Sequence, residues 1–156
     1  MKGIMITWKA FVLALIMQES GGNDRAIGDH GASHGPLQIQ EDCLIDANKW
    51  RKAMGLSQFK FPNDCYDRQK AEHILFAYLQ QYTQARCKEK HTLVSQLKEG
   101  EYYWSTGKPP TWEDYARIWN GGPNGYKNRV DKNGNPTKAT INTLKYWGKL
   151  KKALEE

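Results

Sequence analysis

Glu19 and Asp29 are the two residues whose surroundings suit them to acid–base chemistry. Residues 15–40 read LIMQESGGNDRAIGDHGASHGPLQIQ. An apolar run ends at Glu19, and five glycines follow between Gly21 and Gly35. Glu19 falls one helical turn past Leu15 and Ile16, on the face that should turn inward. A carboxylate against apolar surface has its charged form disfavoured, so its pKa is expected to rise, and a protonated Glu near neutral pH is a general acid. Asp29 follows ten residues later, between Gly28 and, after His30, Gly31. Glycine lets a chain double back, which would bring Asp29 to face Glu19. Two carboxylates in unlike surroundings are what glycoside hydrolysis uses, one protonating the leaving oxygen and the other attacking or stabilising the oxocarbenium-like centre. The spacing by itself equally fits a helix-end carboxylate and a turn aspartate.

The elements that must position this pair can be read from periodicity. Thr7 is an N-cap candidate for a helix over 7–18, with Trp8, Phe11, Val12, Leu15 and Ile16 at helical spacing and Gly21-Gly22 as its stop. Residues 23–40 hold turn residues and short β-compatible pieces, with a return strand beginning at Pro36 to Ile39. Residues 41–54 read as helix, and Phe59 to Asn63 as loop. The strongest periodicity predicts a helix over 66–86, with Ala71, Ile74, Leu75, Tyr78, Leu79 and Tyr82 on one face. Asp64 and Asp67 would help start it. A short helix is expected over 92–99 and a loop over 100–110. Thr111 to Asp114 resembles a capping box opening a helix to about Trp119. Asn120 to Gly125 is a turn-rich break, and Asp131 to Pro136 a second reversal with hairpin character. Ile141, Leu144, Trp147, Leu150 and Leu154 define a last helix. The expected fold class is mainly α (α+β), with one small β-hairpin region after the first helix and a single domain over residues 1–156.

Composition bounds the partners. The chain has 156 residues, a formal charge of +6, six Trp and eight Tyr. The positive charge favours a polyanionic partner such as a nucleic acid, an anionic membrane or a bacterial wall. Nucleic acid is not expected, because Lys and Arg are spread along the chain and no zinc-finger, RNP or helix-turn-helix signature occurs. Membrane insertion is not expected either, since the run from Phe11 to Met17 is too short to span a bilayer. The same run after Lys2 resembles a signal peptide, but no small-residue cleavage site follows, so it reads as a core helix. Cys43, Cys65 and Cys87 cannot all pair, and a reduced state is expected, with one disulfide and one free thiol as the alternative. His73 and His91 have no companions at ligand spacing, so no metal and no cofactor are expected.

Four blocks, ESGG, GDHGASHGPLQI, YARIWNGGPNGYKN and TLKYWGKL, occur in that order. Together they resemble the invertebrate-type lysozymes and their phage and bacterial relatives, over the first 46 residues and over 113–150. The Glu-Ser-Gly and Gly-Pro-Leu-Gln-Ile part alone also resembles lytic transglycosylases and goose-type lysozymes. The resemblance implies a lysozyme-like fold with a cleft between the helices and the small β-region. It places the family's acid on Glu19 and its second carboxylate on Asp29. The spacing between the two is a residue or two shorter than in animal members. Those members are rich in disulfides and this chain is not, which favours a phage or bacterial protein. Residues 127–142 are longer than in animal members, suggesting an inserted loop.

Ser33 and Gln38 would line such a cleft, with turn and strand hydrogen bonding as the plain alternative; for His34 that alternative is preferred. His30 beside Asp29 would point to the opposite face of a strand and is left out. Asn120, Gly121 and Gly122 would let backbone amides approach a sugar and offer a side-chain amide to an N-acetyl group, or form a helix cap, or both. Trp119 would stack on a sugar or pack in a core. The expected function is a monomeric N-acetylmuramidase, a glycoside hydrolase acting on the peptidoglycan of the bacterial cell wall. Without an export signal, it would be a phage lysin or leave the cell by another route. The competitors are a lytic transglycosylase using Glu19 alone and a wall- or chitin-binding module without catalysis.

Overall fold

The computed structural model describes residues 5–84, 86–87 and 102–156. The chain is mainly helical with a small antiparallel hairpin after the first helix. The helices are α1 (Trp8–Ser20), α2 (Glu41–Ala53), α3 (Arg68–Thr83), α4 (Trp112–Gly121) and α5 (Lys138–Glu155). β1 (Ile27–Gly28) pairs with β2 (Ser33–His34), and β3 (Arg86–Cys87) with β4 (Tyr102–Tyr103). Contacts divide the chain into two compact units, Met1–Tyr78 with Trp147–Glu156, and Leu79–Tyr146. Among the described residues no helix is long and apolar enough to cross a membrane.

Local chemistry explains the helix ends. Thr7 accepts the Ala10 amide at 3.1 Å and caps α1, which stops at Gly21 in the left-handed region. The Asp67 carboxylate accepts the Lys70 amide at 2.9 Å and starts α3. Asp64, inside a 3-10 turn over Asn63–Tyr66, instead accepts the Lys60 amide at 2.7 Å and the Lys70 ammonium at 3.1 Å. The Lys60 bond, with help from Lys70, holds the Asp64 carboxyl below the usual range. Thr111 and Asp114 form the capping box of α4.

The first unit is built around α1. Phe11, Val12, Leu15 and Ile16 are buried along it, together with Leu44 and Ala47 of α2 and Ala71, Ile74 and Leu75 of α3. Trp8 and Trp50 both meet Phe76 edge-on at 5.7 Å, and the Trp8 indole donates to Glu72 at 2.9 Å. Trp50 is buried and Trp8 half-buried beside it, with Phe76 on the exposed side. Arg51 is buried beneath the loop after α2, donating to the Ser57 carbonyl at 2.6 Å and lying 4.3 Å from the Phe59 ring. Cys43 and Cys65 are unpaired, and burial pushes both thiols up, Cys65 to about 12.

Two expectations change, and a third lies outside the described residues. A second two-stranded sheet exists, formed by Arg86–Cys87 and Tyr102–Tyr103, segments read from the sequence as a helix end and a loop. The expected helix over 92–99 lies outside the described residues. The last helix does not bury the stripe its apolar residues suggest. Ile141 and Leu144 are 51% and 41% exposed, while Thr140, Thr143 and Leu150 are buried. The two threonines face inward because their hydroxyls serve polar groups there. Thr140 accepts the Arg129 amide at 2.9 Å, and Thr143 accepts from the Arg117 guanidinium at 3.3 Å. An unmet buried donor costs about 1–3 kcal/mol, enough to outweigh a register set by partly exposed aliphatics.

Gly35 makes a sharp stability test. Its φ is +82°, and a Cβ there would lie 1.9 Å from the Cys65 carbonyl oxygen. Gly21 also has positive φ, +64°, but open space around it. Gly21→Ala should cost about 1 kcal/mol, and Gly35→Ala about 3 kcal/mol or more, in urea unfolding. A second expectation concerns Asp64. Its lowered folded pKa gives stability that is present above the unfolded value of 3.8 and lost as pH falls through the folded one. The melting-temperature gap between the native chain and Asp64→Asn should therefore narrow steadily as the pH is taken from neutral to below that range.

Candidate active site

Both candidate carboxylates belong to the first unit. Glu19 is the penultimate residue of α1 and is half-buried, one turn beyond Leu15 and Ile16, which are 0% and 2% exposed. The helix is closed behind it by the Ser20 hydroxyl, which donates back to the Ile16 carbonyl at 3.0 Å. The turn that follows is held from α3. Arg68 donates to the Gly22 carbonyl at 2.8 Å and meets the Asp24 carboxylate at 2.7 Å. The segment leaving Glu19 is thereby tied to the start of another helix.

The chain then doubles back as a hairpin. Ile27 pairs with His34 and Gly28 with Ser33, with Asp29–Gly31 as a 3-10 turn at the tip. Asp29 and His30 both have positive φ, 51° and 56°. Left-handed backbone costs about 1–2 kcal/mol for most side chains and least for Asp and Asn. Such outliers persist where surrounding contacts over-determine them, and they concentrate at functional sites. Here the contacts are explicit. The buried Ser33 hydroxyl donates to the Asp29 carboxylate at 2.5 Å, and the Gln40 amide donates to Asp29 at 3.4 Å and to Ser33 at 3.1 Å. Asp29 itself stands exposed at the tip. The result is a carboxylate offered to solvent in a fixed orientation.

Gln38, read from the sequence as a cleft-lining residue, is half-buried with its amide turned into the hairpin. Its φ is 52°, so alternation along Pro36–Gln40 fails at that residue. Residues 35–38 form a turn, and the expected return strand is reduced to one bridge between Ile39 and His34. The Gln38 amide donates to the Ala26 and Gly35 carbonyls at 3.2 and 2.9 Å. Its carbonyl oxygen sits where a Cβ on Gly28 would collide. Gln38 thus fills the hairpin from within. Gln40 reaches Asp29, and the sequence reading missed it. The only signal was the Gln-x-Gln spacing, which a regular strand would have put on one face. Arg68 was missed too, for it acts across 46 residues of sequence. His34 meets the Tyr66 hydroxyl at 2.6 Å and the Phe61 ring edge-on, both within the scaffold.

The other predicted residues lie in the second unit. Trp119 is half-buried on α4, and Asn120 and Gly121 are exposed at its end. The Gly122 amide caps the helix on the Ile118 carbonyl at 2.9 Å, with φ of +85°. A Cβ on Gly121 would lie 2.4 Å from the Thr143 methyl, so the helix end approaches α5 closely. The Asn120 side chain makes no hydrogen bond among the described residues. No three His, Cys, Asp or Glu side chains among the described residues form a metal-ligating group.

No protein-family model matches the chain, and no curated protein matches it in sequence. Among solved structures, it is similar to the 70 kDa soluble lytic transglycosylase of Escherichia coli, at 18% identity and a TM-score of 0.49. That similarity covers 97% of this chain and 20% of the transglycosylase, so the chain spans about a fifth of that protein's length.

Asp29→Asn tests whether the tip carboxylate is chemical or structural. Asn tolerates positive φ and keeps an oxygen for Ser33, so the melting temperature should change little. A chemical role would then show as activity lost at least about a hundredfold at unchanged stability. Gln40→Ala should lower turnover several-fold, with stability changed by less than about 1 kcal/mol, as the Asp29 carboxylate loses one of its two orienting donors.

Proposed function

We propose that the chain degrades peptidoglycan by cleaving the β-1,4 bond between N-acetylmuramic acid and N-acetylglucosamine. The observation that carries this reading is the Asp29 tip, a strained, exposed carboxylate oriented by Ser33 and Gln40 in the same unit as half-buried Glu19. A turn built only to reverse the chain has no need of a carboxylate held by two side-chain donors. The ordered motif blocks give the substrate class through their resemblance to lysozymes of the invertebrate type.

In this reading Glu19 protonates the glycosidic oxygen as the bond breaks. Asp29 then attacks the anomeric carbon or stabilises its developing positive charge. Water, deprotonated by Glu19, completes a hydrolysis with retention. Ser33 and Gln40 position Asp29, and Gln38 keeps the hairpin filled. Trp119, Asn120, Gly121 and Gly122 supply sugar contacts. The net charge of +6 favours capture by an anionic wall, with binding that weakens as salt rises. The chain works as a single catalytic domain at the bacterial wall, as a monomer.

A lytic transglycosylase is the second reading, and the Glu-Ser-Gly and Gly-Pro-Leu-Gln-Ile blocks favour it by their own resemblance. It would need Glu19 but no second carboxylate. Asp29 separates the two. Glu19→Gln should reduce clearing of a peptidoglycan suspension about a thousandfold or more under either mechanism. Mass spectrometry of the digest then decides between them. Reducing ends are expected, and 1,6-anhydro ends, persisting in Asp29→Asn, would replace hydrolysis by transglycosylation. Clearing unchanged in Glu19→Gln would remove both enzyme readings.

A further inference from the structure

The second unit contains a small basic pocket of about 250 Å³ between the turn after α4 and the start of α5. Lys127 and Arg129 line it, with Asn124, Thr140 and Thr143, and no carboxylate among the described residues does. Neither cation forms an ion pair with an acidic side chain among the described residues. Their backbone is held firmly. Arg117, 1% exposed, donates to the Lys127 carbonyl at 3.2 Å and the Asn128 side chain at 2.8 Å. Thr140 accepts the Arg129 amide and donates to the Lys127 carbonyl at 3.3 Å. A Cβ on Gly125 would lie 2.0 Å from the Arg117 carbonyl oxygen, so the turn is pressed against α4.

Both side chains are exposed on one rigid loop, with the Lys127 ammonium 5.8 Å from the Tyr126 ring centroid, and an anion at the pocket offsets two like charges held in one short segment. The volume is below that of pockets taking whole drug-sized ligands, about 300–1,000 Å³, and suits one anionic group. We propose that the Lys127–Arg129 pocket binds a carboxylate or phosphate group of the wall polymer, anchoring the strand away from Glu19 and Asp29 in sequence and in chemistry. Stem-peptide carboxylates and polymer phosphodiesters are the two sources of that chemistry. The assignment of the polymer rests on the peptidoglycan reading, whereas anion binding itself does not.

The test is an NMR titration of the full chain carrying Glu19→Gln, so that nothing is turned over. The probes are a muropeptide bearing its stem peptide, the same disaccharide without the peptide, and glycerol phosphate. The Gly125 amide and the Arg129 side-chain N–H should shift with the muropeptide or with glycerol phosphate, which tells the source, and not with the bare disaccharide. Lys127→Gln with Arg129→Gln should weaken that binding about tenfold or more. Both side chains are exposed, and an unchanged amide spectrum elsewhere confirms the fold of the double variant. Absent shifts with both acidic probes, equal shifts with the bare disaccharide, or binding unaltered in the double variant would each overturn the pocket. Loss of the cleavage reading would instead show in clearing assays of Glu19→Gln, independently of these shifts.

Discussion

The approach of Gly35 to the Cys65 carbonyl governs the first unit. No side chain fits between them, and the φ of Gly35 admits little besides glycine. That contact seats the hairpin on the 3-10 turn over 63–66. The Gly35 amide simultaneously reaches the Ala26 carbonyl at 2.8 Å, and His34 meets Tyr66. One glycine thus joins the two sides of the hairpin to the turn that precedes α3. Asp29 lies six residues earlier, at the tip of the hairpin that this contact seats. A carboxylate at the tip of two-residue strands has no stiffness of its own, because two ladder residues per strand make a marginal hairpin.

Strain and compensation are close neighbours in this hairpin. Asp29, His30 and Gln38 all occupy left-handed backbone, at a cost of about 1–3 kcal/mol each for sparsely populated regions. Gln38 offsets part of it with two further bonds, to the Ala26 and Gly35 carbonyls that already accept backbone amides. Ser33 and Gln40 offset more through Asp29, where hydrogen bonds to a charged acceptor are stronger than neutral ones. The same bonds that hold the turn also aim the carboxylate, so folding and function are coupled at the tip. The glycines that flank it supply reversal, but the aim comes from Ser33 and Gln40, two and nine residues beyond the second of them.

Cations in the second unit divide into two kinds. Arg117 is buried and fully engaged, with Glu113 at 3.5 Å and acceptors from three other residues. A buried guanidinium is tolerable only with its donors met. Lys127 and Arg129 have their backbone fixed by the same network, while their charged ends stay exposed. Engaged and exposed charge therefore arise within a dozen residues, separated by whether the neighbouring loop supplies oxygen acceptors.

The helices were legible from residue types because their causes are local. Thr7, Gly21, Asp67 and the Thr111–Asp114 box act within four residues, and the apolar faces of α1 and α3 repeat at helical spacing. Glu19 and Asp29 could be singled out for the same reason, one ending an apolar face and the other set among glycines. Contacts between distant residues were not legible. Arg68 on Gly22, Gln40 on Asp29, and Thr140 and Thr143 buried where Ile141 and Leu144 stay exposed all depend on which groups the closed chain brings together. Sequence by itself determined where helices start and stop and which carboxylates stand out, since propensity and capping are near-neighbour energies. The tertiary structure decided which side chains aim those carboxylates, because a hydrogen-bond partner is chosen only when the chain has closed around it.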